Sequence, residues 1–175
     1  MVKSSPGFEV NNARISVTLS QFTVPLLMRT YHAFKGDMVC AIVLGEIAHR
    51  NVEAWLAEAD NPEAALYDPA QRMALLRPCN ALSIAEACGL PRETVRRKVV
   101  TLIDRGYVQR SKDGYLFLTP NVGDDFVDMT AETVEHLLAT ARRLETLLAG
   151  KPDPGSKHRN PGANPSKRAG RSRVG

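Results

Sequence analysis

The sequence is poor in cysteine, in aromatic residues and in long apolar runs, and each shortage excludes a class of protein. Its three cysteines, Cys40, Cys79 and Cys88, are an odd set without metal-ligand spacing. This set favours buried free thiols in a reducing cytoplasm over a redox sensor. No apolar run reaches the ~18 residues of a membrane span, and the N-terminus lacks a signal-peptide pattern. We therefore expect a cytoplasmic protein without membrane contact.

The sequence also lacks the motifs of an enzyme. It has neither a phosphate-binding Gly-rich loop nor a Gly-x-Ser-x-Gly element. Asp124, Asp125 and Asp128 together could suggest a cation site, but the dipole of a helix that begins there explains them, and we treat them as helix-start residues. The four histidines stand far apart, without His or Cys partners at ligand spacing: His32, His49, His136 and His158. We expect no catalytic residue, metal or cofactor.

Positive charge is concentrated in two segments. The chain has 23 Lys or Arg and 19 Asp or Glu, but residues 151–175 hold seven of the basic and one of the acidic residues. The remainder is slightly acidic, except for residues 78–120, which hold seven basic and four acidic residues. Both basic segments favour a polyanionic partner. Because residues 150–175 are rich in Pro, Gly and Ser, we predict a disordered basic tail there.

The stretch 81–120 has the pattern of a helix-turn-helix. A short apolar helix from Leu82 to Cys88 stops at Gly89, Pro91 opens a second helix to about Arg105, and Gly106 ends it. The two helices share one predicted small core: Leu82, Ile84, Ala85 and Cys88 facing Leu90, Val95, Val99 and Leu102.

A β-hairpin is predicted immediately after the second helix. Tyr107–Gln109 and Tyr115–Leu118 are β-prone runs, and the Asp113-Gly114 pair between them is a strong hairpin signal. A helix-turn-helix followed by a hairpin is a winged helix. Its wing here would have a basic tip.

The second helix carries the candidate DNA-binding residues. Its apolar residues share one arc of a helical wheel, which leaves a cationic outer face. An α-helix fits the major groove, where Arg binds guanine through two hydrogen bonds, Glu accepts from cytosine, and Thr contacts a base edge or a thymine methyl. We predict base contacts from Arg92, Glu93, Thr94, Arg97 and Thr101, and phosphate contacts from Arg96, Lys98, Arg110 and Lys112. The alternative is an interaction module that binds a protein or RNA partner.

These residues carry a resemblance to bacterial winged-helix transcription regulators. Arg92-Glu93-Thr94-Val95, with Arg97 after it, is similar to the recognition helix of the cyclic-AMP receptor protein family, in which the matching Arg, Glu and Arg read bases. LIDRGYVQR, with LTP and a further helix after it, resembles the MarR type. The resemblance covers about residues 70–120 and implies a sequence-specific, nucleoid-associated regulator of transcription that binds double-stranded DNA as a homodimer. Two features depart from it: the Asp-x-Arg element of the MarR wing is absent, and Lys98 stands where both families usually have an aliphatic residue.

Helices are predicted before the winged helix. Residues 1–20 are predicted to have no regular structure. The alternation over Ala13–Leu19 suggests a short strand and competes with a helical interpretation; we favour a helix from about Gln21 to Phe34. Asp37 caps a second helix to about Ala59. Its first half, 38–48, is apolar nearly all round, which implies a partner subunit. Residues 21–60 would serve dimerisation and possible sensing of a small-molecule effector, in a pocket lined by Trp55, Tyr31, Phe34 and Met38, although core packing explains these four residues as well.

The domain 69–120 would begin with a helix over residues 69–77, and Ala81-Leu82 would pair with the wing. A long helix over 124–149 follows the wing. Its apolar residues have coiled-coil spacing and indicate either a dimer contact or packing on its own subunit: Val134, Leu137, Ala141, Leu144 and Leu148. The predicted fold is mainly α with a small β wing, a winged helix-turn-helix flanked by dimerisation helices.

Overall fold

The computed structural model describes residues 6–58 and 76–150, and these residues form five α-helices and one two-stranded antiparallel sheet. The elements in chain order are α1 (Pro6–Ala33), α2 (Met38–Glu58), α3 (Ala81–Cys88), α4 (Arg92–Asp104), β1 (Val108–Arg110), β2 (Leu116–Leu118) and α5 (Asn121–Leu148). The predicted fold class, mainly helical with a small sheet, is confirmed.

Helix α2 lies at the centre of the core and packs against α3, α4 and β2. Its buried residues Cys40, Val43, Leu44 and Ile47 join one cluster with buried residues of the other elements: Ile84, Ala85, Val95, Val99, Leu102, Val108 and Leu116. The helix-turn-helix and the hairpin of the same chain cover Cys40, Val43, Leu44 and Ile47, so the burial of these four residues does not require a partner subunit; Ile42 stays 51% exposed.

Most of the helix predicted over residues 69–77 lies outside the described residues, and its last two residues, Leu76 and Arg77, are not helical. Helix α2 packs on both helices of the helix-turn-helix, a contact that the sequence pattern does not indicate.

Asn51 joins α2 to the segments on both sides of the helix-turn-helix. Its side chain is fully buried and donates hydrogen bonds to the carbonyls of Arg77, at 2.8 Å, and Leu116, at 3.2 Å. Its carbonyl oxygen accepts from the N–H of Leu118 at 2.8 Å. A buried amide with both donors and its acceptor engaged fixes the relative position of three segments.

The two helices of the helix-turn-helix have well-defined boundaries. The side chain of Asn80 accepts from the N–H groups of Leu82 and Ser83, and the Ser83 hydroxyl accepts from the Asn80 N–H, which completes a capping box at the start of α3. Gly89 ends α3 in the left-handed conformation, with φ 62°, as its lack of a Cβ allows. Pro91 directly precedes α4. The predicted turn is thus confirmed.

Two details of this region differ from the sequence-based prediction. Leu82 is 45% exposed and therefore lies largely outside the core that Ile84 and Ala85 enter. The short segment that pairs with the hairpin is Cys79, whose carbonyl accepts from the Leu116 N–H at 2.8 Å, and not Ala81-Leu82. The Asn80 cap starts α3 at Ala81, so these two residues are helical.

The predicted hairpin is present, with Val108 opposite Leu118 and Arg110 opposite Leu116. Ser111 closes its loop: the Ser111 N–H donates to the Tyr115 carbonyl at 2.8 Å, and the Ser111 carbonyl accepts from the Gly114 N–H at 3.0 Å. Val108, Leu116 and Phe117 are buried, which attaches the sheet to the core.

Helices α1 and α5 form an antiparallel pair. Asn11 donates to the Leu147 carbonyl at 2.9 Å near one end, and Phe34 stacks on Phe126 at 5.6 Å between ring centroids near the other. At Gly7 the backbones approach so closely that a Cβ would lie 2.0 Å from the Leu148 carbonyl oxygen.

The expectation of a loose segment over 1–20 is wrong for residues 6–20, which belong to α1. Ile15 and Thr18, which follow a kink at Asn11, are each 4% exposed. Packing on α5 therefore stabilises a helix there, and the alternation that suggests a strand over Ala13–Leu19 reflects a helix with apolar residues on two sides.

We predict that Asn51→Leu lowers the free energy of unfolding by about 2–4 kcal/mol. The substitution keeps the branched shape of the side chain but removes the hydrogen-bond partner of the Arg77 and Leu116 carbonyls and of the Leu118 N–H. A buried group left without a partner costs roughly 1–3 kcal/mol, and a part-buried group costs less because water can replace the partner. Urea unfolding followed by circular dichroism measures the change. Asn121→Ala, at an exposed asparagine that donates to the Gly106 carbonyl, is the control and should stay within about 0.5 kcal/mol of the wild type. Equal stability of the Asn51→Leu variant and the wild type would contradict the role given to Asn51.

Candidate nucleic-acid interface

Helix α4 turns one face to the core and the opposite face to solvent. Val95, Val99 and Leu102 are fully buried, and the wheel places Arg97 opposite them. Arg92, Glu93, Arg96 and Arg97 are exposed, while Thr94 and Thr101 are half-buried. The exposed side of α4 therefore begins with four charged residues within its first two turns.

Val100 also lies on the exposed side of α4, at 41% exposure, and it is not among the contacts predicted from the sequence. Its position follows from the same wheel, one turn after Arg96 and Arg97. An aliphatic side chain at such a place can contact a thymine methyl.

Lys98 stands apart from the other predicted phosphate contacts. Its ammonium group donates to Asp37 Oδ2 at 2.7 Å, and its side chain is 27% exposed. Asp37 also accepts from the Cys40 N–H at 3.0 Å and so caps α2, as predicted. Lys98 thus joins the flank of α4 to the start of α2, which explains a lysine at a position where the resemblance implies an aliphatic residue.

The Asp37 carboxylate is held in its charged form. Burial by itself would raise the pKa of Asp37, but the hydrogen bonds from Lys98 and Cys40 outweigh it, and the pKa lies below the ordinary value of 3.8. The ion pair with Lys98 therefore persists throughout the neutral pH range.

Glu93 and Arg96 are brought together on the surface of α4. Arg96 donates from Nε to Glu93 Oε2 and from Nη2 to Glu93 Oε1, both at 2.7 Å. The Arg96 hydrogen bonds lower the pKa of Glu93, and Glu93 in turn raises the pKa of Arg96. Two residues for which we predicted separate roles form one bidentate pair.

The hairpin carries the two remaining predicted contacts. Arg110 is the last residue of β1, and Lys112 lies in the loop that follows. Both side chains are exposed, and neither forms an ion pair with any residue in 6–58 or 76–150. A hairpin with free cations near its tip can contact a phosphate backbone.

An aromatic cluster lies at the junction of α1, α4 and α5. Phe126 stacks on Phe34 and contacts Tyr107, each at 5.6 Å between centroids, and the Arg105 guanidinium lies 5.8 Å from the Phe34 ring centroid. The Tyr107 hydroxyl donates to Asp125 at 2.8 Å. Burial, with help from this hydrogen bond, raises the pKa of Tyr107.

The described residues among those proposed for an effector pocket differ in burial. Phe34 belongs to the core, Tyr31 is 47% exposed and Met38 is half-buried. The side chain of Trp55 lies outside the described part of the structure. An effector remains a prediction.

The cysteines and acidic residues show no sign of a metal centre. Cys40 and Cys79 are buried free thiols, as predicted, and Cys88 is a half-buried one; burial raises the pKa of Cys79 to about 11. Among the described residues, no three His, Cys, Asp or Glu side chains are grouped so as to hold a metal ion. Asp124 lies in the first turn of α5, in agreement with a helix-start role.

No helix within the described ranges has the length and apolar character needed to span a membrane.

A comparison with protein families matches residues 75–112 to the IclR helix-turn-helix domain. The match spans α3, α4 and β1, and it identifies a helix-turn-helix DNA-binding domain of the kind found in transcription regulators. It points to a non-enzymatic role. It names neither the MarR type nor the cyclic-AMP receptor protein family, so those two resemblances stay predictions. No curated protein and no solved structure matches the chain.

We predict that Asp37→Asn lowers the free energy of unfolding by about 1 kcal/mol at pH 7. Asparagine caps a helix as well as aspartate does, so the loss reports the negative charge of Asp37, chiefly its ion pair with Lys98, which is partly screened by solvent. Because the pKa of Asp37 is depressed in the folded state, its contribution is present above the ordinary aspartate pKa and is lost as the pH falls through the lower folded value. Unfolding measurements between pH 7 and pH 3 should show the free energies of unfolding of the variant and the wild type converging below about pH 4. Asp128→Asn, at an exposed position on α5, is the control; a gap that stays constant over this range would rule out the ion pair as its source.

Proposed function

We propose that the protein is a sequence-specific transcription regulator that binds double-stranded DNA as a homodimer. The match of residues 75–112 to the IclR helix-turn-helix domain carries this proposal. The charged exposed face of α4 supports it further. In this proposal α4 lies in the major groove and the hairpin contacts the backbone as the wing of a winged helix.

The position of each side chain suggests its role. Arg97, opposite the core, points into the groove, and Arg92, Thr94 and Thr101 contact bases beside it. Arg110 and Lys112 contact phosphates. Lys98 is excluded from this set because its ammonium group already pairs with Asp37.

Selection of bound duplexes from a random pool tests the proposal directly. A twofold sequence motif is expected, with half-sites about one helical turn apart. A gel shift at low salt provides the first step. A protein that binds no duplex DNA, or binds every duplex equally, would instead be an interaction module for a protein or RNA partner.

Arg97 and Lys112 should differ in the kind of DNA contact that they make. Arg97→Ala should relax base preference at one position of each half-site, because a bidentate guanine contact supplies ~1–3 kcal/mol of discrimination. Lys112→Ala should weaken all sequences alike and reduce the salt slope by about one unit. Competition binding against operator and scrambled duplexes across a salt series measures both. Lys98→Met is the control and should leave the salt slope unchanged; equal weakening of operator and scrambled DNA by Arg97→Ala would place Arg97 on the backbone.

Dimerisation is supported by the exposed apolar side chains of α1 and α5. These two helices carry thirteen of the seventeen large apolar side chains that are exposed within 6–58 and 76–150. On α1, Val17, Val24 and Tyr31 repeat every seven residues with Leu27 and Met28 between them, and all five are between 47% and 55% exposed. Such a repeat packs one helix on another.

Helix α5 has a second apolar stripe. Val127, Val134, Ala141 and Leu148 also repeat every seven residues, with Leu137 and Leu138 between them. Of the seam predicted from the sequence, Leu144 is half-buried within the chain, whereas Val134, Leu137 and Leu148 remain exposed. We therefore assign the dimer contact to α1 and α5.

Val24→Glu and Val134→Glu should each convert the dimer to monomers or aggregates. Each change places a charge in the proposed apolar interface, where it has no partner. Light scattering and sedimentation at micromolar concentration give the result. Ala139→Glu, at an exposed position on the other side of α5, should leave the dimer intact. A wild-type protein that is monomeric under these conditions would contradict the dimer proposal.

A further inference from the structure

The bidentate pair of Glu93 and Arg96 lies in the first turns of α4, with Glu93 on the outer face and Arg96 on the flank opposite Lys98. Both Glu93 oxygens accept from Arg96, and the Glu93 and Arg96 side chains are 64% and 59% exposed. An isolated surface ion pair contributes little to stability. The geometry of the pair, however, determines which N–H groups of Arg96 remain available.

The Arg96 guanidinium keeps one complete edge free. Glu93 occupies Nε–H and one N–H of Nη2. A guanidinium has five N–H donors in a planar fork, so both donors of Nη1 and the second donor of Nη2 remain. The parallel donors on Nη1 and Nη2 have the spacing that O6 and N7 of guanine accept.

We propose that Glu93 and Arg96 act as one base-reading unit, in which Arg96 binds a guanine through its Nη1 and Nη2 edge and Glu93 positions it. This inference rests on the proposed function, since it requires α4 in the major groove. It replaces the two separate roles expected from the sequence, a cytosine contact for Glu93 and a phosphate contact for Arg96.

Positioning by Glu93 addresses two weaknesses of arginine as a base reader. A free arginine side chain has many rotamers, and ordering it on binding has an entropic cost. A free guanidinium is also attracted to the nearest phosphates, which carry no sequence information. The Glu93 carboxylate holds the side chain in one arrangement and adds a negative charge that disfavours contact with the backbone.

The unit therefore has a signature that separates it from a merely stabilising ion pair. Glu93→Gln weakens the hold on Arg96 and removes a negative charge from the DNA-facing side. It should lower discrimination while it raises affinity for scrambled DNA. If the pair only stabilised the fold, its loss would lower both the base discrimination and the affinity for scrambled DNA.

The experiment measures base preference position by position. After an operator has been selected with the wild-type protein, competition binding compares each single-base variant of one half-site for Glu93→Gln, Arg96→Lys and the wild type. Both substitutions should reduce the preference for guanine at the same position, by roughly 5- to 100-fold, because lysine keeps the charge but cannot form the fork. Arg97→Ala should relax a different position.

Glu86→Gln is the matched control, since it removes the same charge from an exposed position of α3 without touching Arg96. It should leave base preference unchanged, and thermal unfolding should show that all variants are folded. The inference is overturned if Glu93→Gln and Arg96→Lys relax different positions, if Arg96→Lys weakens all sequences equally, or if neither changes the preference. A wild-type protein with no base preference would instead overturn the proposed function itself.

Discussion

The hydrogen bonds of Asn51 determine how the parts of the DNA-binding region are assembled. The apolar cluster around it would tolerate small shifts of one element against another, because apolar contacts are not directional. A buried amide does not tolerate them, since each displaced donor or acceptor loses its partner in a dry environment. Through the carbonyls of Arg77 and Leu116 and the N–H of Leu118, α2 sets both the start of the helix-turn-helix and the register of the hairpin.

The position of α4 follows from this arrangement. Its inner face packs on α2 and α3, and one flank is fixed by the bond between Lys98 and Asp37. That flank serves the fold, which leaves the opposite flank with Arg96 and the outer face with Arg97 to meet a ligand. A helix fixed on two sides presents its charged residues in a defined orientation, and this orientation is what reading a base edge requires.

Local signals in the sequence predict the local structure well. Gly89, Pro91 and the Asp113-Gly114 pair each act on the backbone within a few residues, so the turn and the hairpin follow from the residues that form them. The contacts of Asn51 and Lys98 do not follow in this way, because their partners lie up to 67 and 61 residues away. The Glu93–Arg96 pair has ordinary i, i+3 spacing, but spacing alone does not show whether two exposed charges meet each other or solvent.

The N-terminal helix shows why a weak pattern can mislead. An amphipathic helix has one apolar stripe, whereas α1 has two: the side that carries Ile15 packs on α5, and the side that carries Val17, Val24 and Tyr31 is exposed. Two stripes on opposite sides blur the period of 3.6 residues by which a helix is recognised, and residues 13–19 then resemble a strand. Within residues 6–58 and 76–150 the second stripe stays about half exposed, and exposed apolar area of this extent marks an interaction surface. The feature that hides the helix in the sequence is thus the one that supports the proposed dimer.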